Sequence, residues 1–254
     1  MTIATGEQRE NLIEAGKRLT ATLHAVAEAA RPGVSSEELD DLAEHLIRGG
    51  GDIPAFLGYT PEGARRPYPA TLCVSVNDEV VHGIPNESPK ILKEGDIVGL
   101  DLGLTHNGIV VDAAVTVAAG RPDAQAEDLL RATERALSAG IAAARPGARV
   151  GGISSAIQGE IERAGFSVVK DLGGHGVGEF VHEEPFVPNF GRADEGPELV
   201  EGMVLALEPI ASAGKGSVVL APDGYTYRTK DGSRSAHFEH TILIEKGGAR
   251  IITA

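Results

Sequence analysis

The chain repeats several short motifs in the same order, and this repetition is what most constrains its fold. Ala-Arg-Pro-Gly occurs at residues 30–33 and again at 144–147. Val-His-x-x-Pro occurs at residues 81–85 and again at 181–185. One match of this length arises easily by chance, but several matches in a single order indicate an internal duplication.

A longer match follows these motifs in each half. The segment 92–101 resembles the segment 199–208, and both end in a carboxylate seven residues after the Glu of a Glu-Gly pair. The spacing between matched motifs varies, which loops of different length explain. We therefore predict a single domain, residues 1–254, duplicated internally as roughly 1–120 and 121–254.

Helix patterns come before strand patterns in each half. Ser35 and Glu38 form a capping-box signature, and Ile153, Ile157 and Ile161 recur every four residues on one helix face. Alternating or apolar runs predict strands at 72–76, 96–104, 109–117, 203–210 and 237–244. Helices clustered before strands favour an α+β fold with two pseudo-symmetric halves related by a two-fold axis.

Composition excludes several classes of partner. The net charge of −14 does not suit a phosphate-binding surface, so no specific nucleic acid is expected. Cys73 is the only cysteine, which rules out an intrachain disulfide and fits a reducing compartment. The sequence has neither a signal peptide nor a long apolar run, so we expect a cytoplasmic protein without membrane contact.

Two aspartates lie on a predicted hairpin with apolar strands. If His106 and Asn107 form its loop, Asp101 lies directly opposite Asp112; if Asn107 and Gly108 form it, the two aspartates still share a face. Two neighbouring carboxylates among apolar residues repel each other and are costly to bury. A divalent cation would remove this cost.

Three further residues complete a candidate metal site. Glu208 ends an apolar run, Glu239 lies inside another, and His175 is flanked by glycines that allow close backbone approach. Four carboxylates and one imidazole form an oxygen and nitrogen donor set suited to first-row divalent metals. Four negative charges balance two such ions, and a water between them becomes a nucleophile near neutral pH.

Two histidines share the repeated Val-His-x-x-Pro context. His82 and His182 are thereby symmetry-related, and we predict that they donate hydrogen bonds to the oxygen of an attacked carbonyl. The remaining histidines lack this context and are interpreted as non-catalytic: His24, His45, His106, His237 and His240.

These motifs together resemble those of the bacterial type I methionine aminopeptidases. The resemblance rests on Val81–Pro85, Gly174–Gly178, His182–Pro185, Leu207–Pro209 and Phe238–Thr241. It extends over nearly the whole chain and implies the pita-bread fold, in which helices of two halves pack on a central antiparallel β-sheet.

The resemblance also implies roles for the site residues. Asp112 and Glu239 would bridge two divalent cations (Co, Mn, Fe(II) or Zn), Asp101 would complete one ion, and His175 with Glu208 would complete the other. Glu208 would also transfer a proton. The two repeated histidines would contact the substrate.

The implied methionine pocket departs from the family pattern. The resemblance places five residues there: Tyr59, Tyr68, Cys73, Val181 and Tyr225. Val181 stands where the family commonly has Phe, and Tyr225 where it commonly has Trp. The segment Thr60–Pro67 is longer than the usual bacterial pattern. These differences bear on fine substrate preference, not on the reaction class.

The expected activity is removal of the initiator methionine from nascent proteins and peptides that have a small second residue. The expected protein is a monomer, with transient ribosome association as a possible further contact. Two alternatives stay open: an Xaa-Pro aminopeptidase or prolidase of the same fold, and a catalytically inactive peptide-binding protein on that fold.

Overall fold

Four helices and fifteen strands make up the part of the chain that the computed structural model describes, residues 1–3 and 5–254. The helices are α1 Gly6–Ala29, α2 Ser36–Gly49, α3 Ala124–Ala143 and α4 Val150–Arg163. The strands of the first half are β1 Ile53–Pro54, β2 Leu72–Val76, β3 Glu79–Val81, β4 Ile97–His106 and β5 Ile109–Ala118. Those of the second half are β6 Ser167–Val168, β7 Gly173–Gly176, β8 Glu183–Pro188, β9 Val204–Leu207, β10 Ile210–Ser212, β11 Val218–Leu220, β12 Tyr227–Thr229, β13 Ser235–His237, β14 Glu239–Glu245 and β15 Gly248–Ile251.

The helices confirm the patterns read from the sequence. Oγ of Ser35 accepts a hydrogen bond from the Glu38 amide, and the Glu38 carboxylate accepts one from the Ser35 amide, so the capping box forms. The isoleucines of α4 are fully buried. α2 and α4 are both 14 residues long and follow the two Ala-Arg-Pro-Gly motifs in the same way.

Corresponding backbone hydrogen bonds join each Ala-Arg-Pro-Gly motif to a leucine further along the chain. The amide of Gly33 donates to the carbonyl of Leu92 at 2.8 Å, and that of Gly147 donates to Leu199 at 2.9 Å. In turn, the Leu92 amide donates to the carbonyl of Val34 at 2.9 Å, and the Leu199 amide donates to the carbonyl of Ala148 at 2.7 Å. The same backbone connections thus recur at matched positions, and the predicted pseudo-symmetric halves are confirmed.

A nine-stranded antiparallel sheet runs through both halves. Its order is β1-β4-β5-β14-β9-β7-β8, with β2 paired to β4 and β15 paired to β14. The halves meet where β5 of the first pairs with β14 of the second. Two three-stranded sheets, β13-β10-β6 and β11-β12-β3, lie beside it. Helices on a central antiparallel sheet are therefore confirmed.

Two hydrophobic clusters support this arrangement. In the first, Leu19 of α1 packs with Leu100 of β4, and in the second, Leu129 of α3 and Ile157 of α4 pack with Leu205 of β9. Each helix pair thus buries an apolar face against its own part of the sheet. None of the helices in residues 1–3 and 5–254 is long and apolar enough to cross a bilayer.

Two predicted strands are interrupted, and a candidate site residue lies in or directly after each interruption: Glu208 in the first and Glu239 after the second. The run 203–210 breaks at Glu208 and Pro209, because proline has no amide proton for strand pairing. The run 237–244 breaks at Phe238, whose amide donates to the Pro209 carbonyl at 3.4 Å. Prediction of a single strand across each run was wrong.

Candidate metal centre

The β4–β5 hairpin decides how the two aspartates meet. Asn107 and Gly108 form its two-residue loop, with φ angles of 48° and 78°. Asp112 therefore pairs with Gly103, and Asp101 pairs with Ala114. The prediction that the two aspartates lie directly opposite each other is wrong. The alternative, in which both lie on one face, is confirmed, because each is two residues from the other's partner and residues two apart on a strand share a face.

Two of the carboxylates, those of Asp101 and Glu239, lie in one row of cross-strand pairs. Ala114 pairs with Asp101 of β4 on one side and with Glu239 of β14 on the other. Cys73 of β2 continues the row beside Asp101. Only the methyl side chain of Ala114 stands between the two carboxylates in this row.

His175 and Glu208 reach the same face from the other half. His175 pairs with Ala206 on β9, and Glu208 follows two residues further along the chain. Nε2 of His175 lies 3.7 Å from Oε1 of Glu208 and 3.9 Å from Oε1 of Glu239. Nδ1 of His175 lies 2.9 Å from the Gly176 carbonyl, which assigns the proton to Nδ1 and leaves Nε2 free as a ligand.

The glycines around His175 permit this approach. A Cβ atom on Gly174 would lie 2.3 Å from the Ala206 carbonyl oxygen, and one on Gly176 would lie 2.3 Å from that of Glu184. Both contacts involve backbone atoms that cannot move aside easily. Glycine at both positions is therefore what brings β7 close to its two neighbouring strands.

Burial perturbs the carboxylates strongly. It raises the pKa of Asp101 to about 6, and it raises the pKa values of Asp112 and Glu239 well above their usual range, with neighbouring carboxylates adding to the effect. Oδ1 of Asp101, Oδ1 of Asp112 and Oε1 of Glu239 are buried without a hydrogen-bond partner. A cation would satisfy these oxygens and oppose the repulsion between them.

The donor atoms are close enough to share an ion. One ligand atom from each of Asp112, His175 and Glu239 lies within 4.8 Å of the others. Their chemistry, carboxylate oxygen and imidazole nitrogen, suits a first-row divalent metal. The residues present therefore fit the metal that the sequence predicts.

His82 and His182 lie at the cavity beside these carboxylates. Nδ1 of His182 is 2.9 Å from the hydroxyl oxygen of Tyr59, and its ring centroid is 4.4 Å from that of His175. His82 adopts a positive φ of 56°, an uncommon backbone conformation for this residue type. Burial lowers the pKa of His82 to about 4, so its imidazole is neutral at pH 7.

One cavity connects the candidate ligands to aromatic side chains. It is lined by Phe56, Tyr59, Pro61, Tyr68, Cys73, His82, Asp101, Asp112, His175, His182, Glu208, Tyr225 and Glu239. Four of the five predicted pocket residues are among them. Val181 is not: it is buried in the first hydrophobic cluster, while the next residue, His182, takes the cavity side. Phe56 and Pro61 were not predicted.

The long segment Thr60–Pro67 forms part of the cavity wall. Its ends are joined, because the Tyr68 amide donates to the Tyr59 carbonyl at 2.8 Å. The Tyr225 hydroxyl donates to the carbonyl of Arg66 at 2.5 Å. The Arg66 guanidinium donates to the Asp223 carbonyl at 3.2 Å and forms an ion pair with Glu87. The segment thus connects the two sides of the aromatic wall.

His237, interpreted from sequence as non-catalytic, lies at the carboxylates. Its side chain is 3% exposed, and Nε2 lies 3.3 Å from Oε2 of Glu208 and 3.6 Å from Oε2 of Glu239. It has no counterpart in the repeated motif, so the repeat does not indicate a role for it. Its position two residues before Glu239 was the available signal.

The chain is similar to known proteins over its whole length. The profile of metallopeptidase family M24 matches residues 10–246. A methionine aminopeptidase of Aquifex aeolicus is 46% identical over 100% of this chain and 99% of its own length. The crystal structure of a methionine aminopeptidase from Thermotoga maritima superposes with a TM-score of 0.94 at 42% identity, covering 100% of this chain and 99% of that chain.

A more distant neighbour shares the fold only. A prolidase from Pyrococcus furiosus superposes with a TM-score of 0.75 at 23% identity, covering 100% of this chain and 65% of that chain. Together the two superpositions confirm the pita-bread fold. The profile match over most of the chain and the full-length similarity to curated relatives show that this chain belongs to metallopeptidase family M24.

Proposed function

We propose that this chain removes the N-terminal methionine from peptides and nascent proteins by metal-dependent hydrolysis. One observation carries the proposal: a single cavity joins five carboxylate and imidazole ligands to a wall of tyrosines and a buried cysteine. A polar site that cleaves a peptide bond therefore adjoins an apolar site for the side chain before that bond.

Two divalent cations are proposed for the polar end. Asp112 and Glu239 would contact both ions, Asp101 would contact one, and His175 with Glu208 would contact the other. The donor set accepts Co, Mn, Fe(II) or Zn, and four carboxylates balance the charge of two ions. When bound, such ions lower the pKa of water and polarise a carbonyl group.

Protein groups would handle the remaining charge and proton movements. A neutral His82 or His182 can donate one N–H to the substrate, and Tyr59 holds His182 in place through Nδ1. Donors of this kind stabilise charge that develops on a carbonyl oxygen during attack. Glu208, beside His175 at the cavity, would accept a proton and pass it to the leaving amine.

The aromatic end of the cavity would receive the methionine side chain. Tyr59, Tyr68, Cys73 and Tyr225 line it, and the thioether is flexible and polarizable enough to fill an irregular apolar space. Because the methionine side chain occupies this end, the second substrate residue would lie near the metal ions. We expect a small second residue.

The setting of this reaction is also a proposal. We infer a cytoplasmic monomer that acts on nascent chains, with transient ribosome contact. The net charge of −14 opposes direct binding to ribosomal RNA, so any such contact would need ribosomal protein or a local basic patch.

A peptide panel assayed metal by metal tests the proposal. Met-Ala-Ser should be cleaved after addition of Mn, Co, Fe(II) or Zn to metal-free protein, and Met-Lys-Ser should be cleaved far more slowly. Cleavage of Ala-Pro-Ser without cleavage of Met-Ala-Ser would instead establish an Xaa-Pro peptidase. Absence of bound metal and of cleavage under every condition would indicate an inactive peptide-binding protein.

A further inference from the structure

A buried imidazole faces the carboxylates from outside the proposed ligand set. His237 is the last residue of β13, where it pairs with Ile210 of β10, and its side chain is almost fully buried. It does not line the cavity that contains the candidate ligands. His237 therefore lies behind the carboxylates, where it can contact them but not a substrate in that cavity.

The backbone of His237 is held firmly by one neighbouring side chain. Its amide donates to Oγ1 of Thr116 at 2.9 Å, and the same hydroxyl donates to the His237 carbonyl at 2.7 Å. Thr116 belongs to β5, the strand that carries Asp112. The position of the imidazole is thus fixed relative to the strand of a proposed bridging ligand.

The two carboxylate oxygens of Glu208 face different partners. Oε1 lies 3.7 Å from Nε2 of His175, and Oε2 lies 3.3 Å from Nε2 of His237. Oε1 is therefore the oxygen on the side of the proposed ion, and Oε2 is turned towards a potential donor. Hydrogen bonds to the outer atoms of metal ligands fix ligand orientation and typically change metal affinity by about 10–100-fold.

We propose that His237 is a positioning residue whose Nε2–H donates to Oε2 of Glu208 and thereby presents Oε1 to the metal ion. This inference rests on the proposed function, because Glu208 must be a ligand for its orientation to matter. The imidazole itself contacts neither substrate nor metal. Its effect is exerted through Glu208.

Three substitutions and a matched control test this role. His237→Leu removes the donor, His237→Asn keeps an amide too short to reach the carboxylate, and His237→Gln keeps an amide donor at about the reach of Nε2. His106→Leu removes a different histidine–carboxylate contact, that of His106 with Asp52 at 2.7 Å, away from the site. The readouts are Mn²⁺ affinity by calorimetry and the unfolding temperature of metal-free protein.

We expect His237→Leu and His237→Asn to weaken Mn²⁺ binding by about 10–100-fold and His237→Gln to stay near wild type. His106→Leu should lower the unfolding temperature without changing the affinity. Unchanged affinity in all three His237 variants, or equal losses in His237→Gln and His237→Leu, would overturn the inference. If the wild-type protein binds Mn²⁺ and cleaves Met-Ala-Ser, such a result would overturn only the role of His237 and not the proposed function. A wild-type protein that binds no metal would overturn both the role of His237 and the proposed function.

Discussion

Asp101 and Glu239 flank Ala114 in one row of paired residues across three neighbouring strands, although they are far apart in sequence. Asp112 lies on the same face, two residues before Ala114. This face therefore collects three buried carboxylates from β4, β5 and β14, at the junction of the two halves. The polar centre is fixed by strand register rather than by mobile loops.

Metal binding to the buried carboxylates should depend on pH. Burial raises the pKa of Asp101 to about 6 and raises those of Asp112 and Glu239 well above their usual range, so the metal-free site keeps protons at a higher pH than exposed carboxylates do. A metal must displace these protons, and its affinity should therefore rise with pH, by about tenfold per pH unit for each proton released. Calorimetry in buffers of different ionisation enthalpy measures the number of protons released, because each released proton is taken up by the buffer. An affinity independent of pH, together with a binding enthalpy independent of the buffer, would contradict the prediction.

Asp112→Ala tests the proposed bridging ligand. The substitution removes a carboxylate predicted to contact both ions, so it should abolish cleavage and lower the metal content of purified protein. Asp128→Ala, which removes an exposed carboxylate on α3, is the matched control and should change neither quantity. Full metal content together with full activity in Asp112→Ala would exclude the bridging role.

His182→Ala tests the proposed carbonyl-facing donor. Metal content should stay near wild type, because His182 is not in the proposed ligand set. Cleavage of Met-Ala-Ser should slow by about 10²–10³-fold if the imidazole stabilises charge on the carbonyl oxygen. His45→Ala, on the exposed part of α2, provides the control. Unchanged kcat in His182→Ala would assign this histidine a different role.

Arg66→Ala tests the contribution of the long segment to the pocket. Arg66 joins Glu87 and Asp223 beside Tyr225, so its loss should loosen the aromatic wall. Since exposed ion pairs contribute little, KM for Met-Ala-Ser should rise by up to about fivefold with kcat unchanged. Arg31→Ala, at an exposed position, is the control. A fall in kcat with constant KM would place the effect on chemistry instead of binding.

The sequence predicts a candidate ligand set but leaves its geometry open. Carboxylates inside apolar runs and the repeated motifs identify Asp101 and Glu208 as related positions. The relative placement of Asp101 and Asp112 depended on which two residues form the hairpin loop. Asn107 and Gly108 form it because both loop positions require positive φ, which Asn and Gly adopt more readily than His106 does.

Contacts between distant segments were the least predictable. His237 and Glu208 meet only because both strand runs break and β10 pairs with β13, which no local pattern specifies. Phe56 and Pro61 line the cavity from loops, and no local pattern specifies that contact either. Val181 is expected at the pocket from the resemblance, whereas its side chain packs in the first hydrophobic cluster and does not line the cavity.

Anomalous diffraction from crystals grown with Mn²⁺ would locate the proposed ions without relying on activity. We expect two peaks per chain, both enclosed by the proposed ligands Asp101, Asp112, His175, Glu208 and Glu239. Absence of peaks at this cluster, or peaks held by other residues, would contradict it.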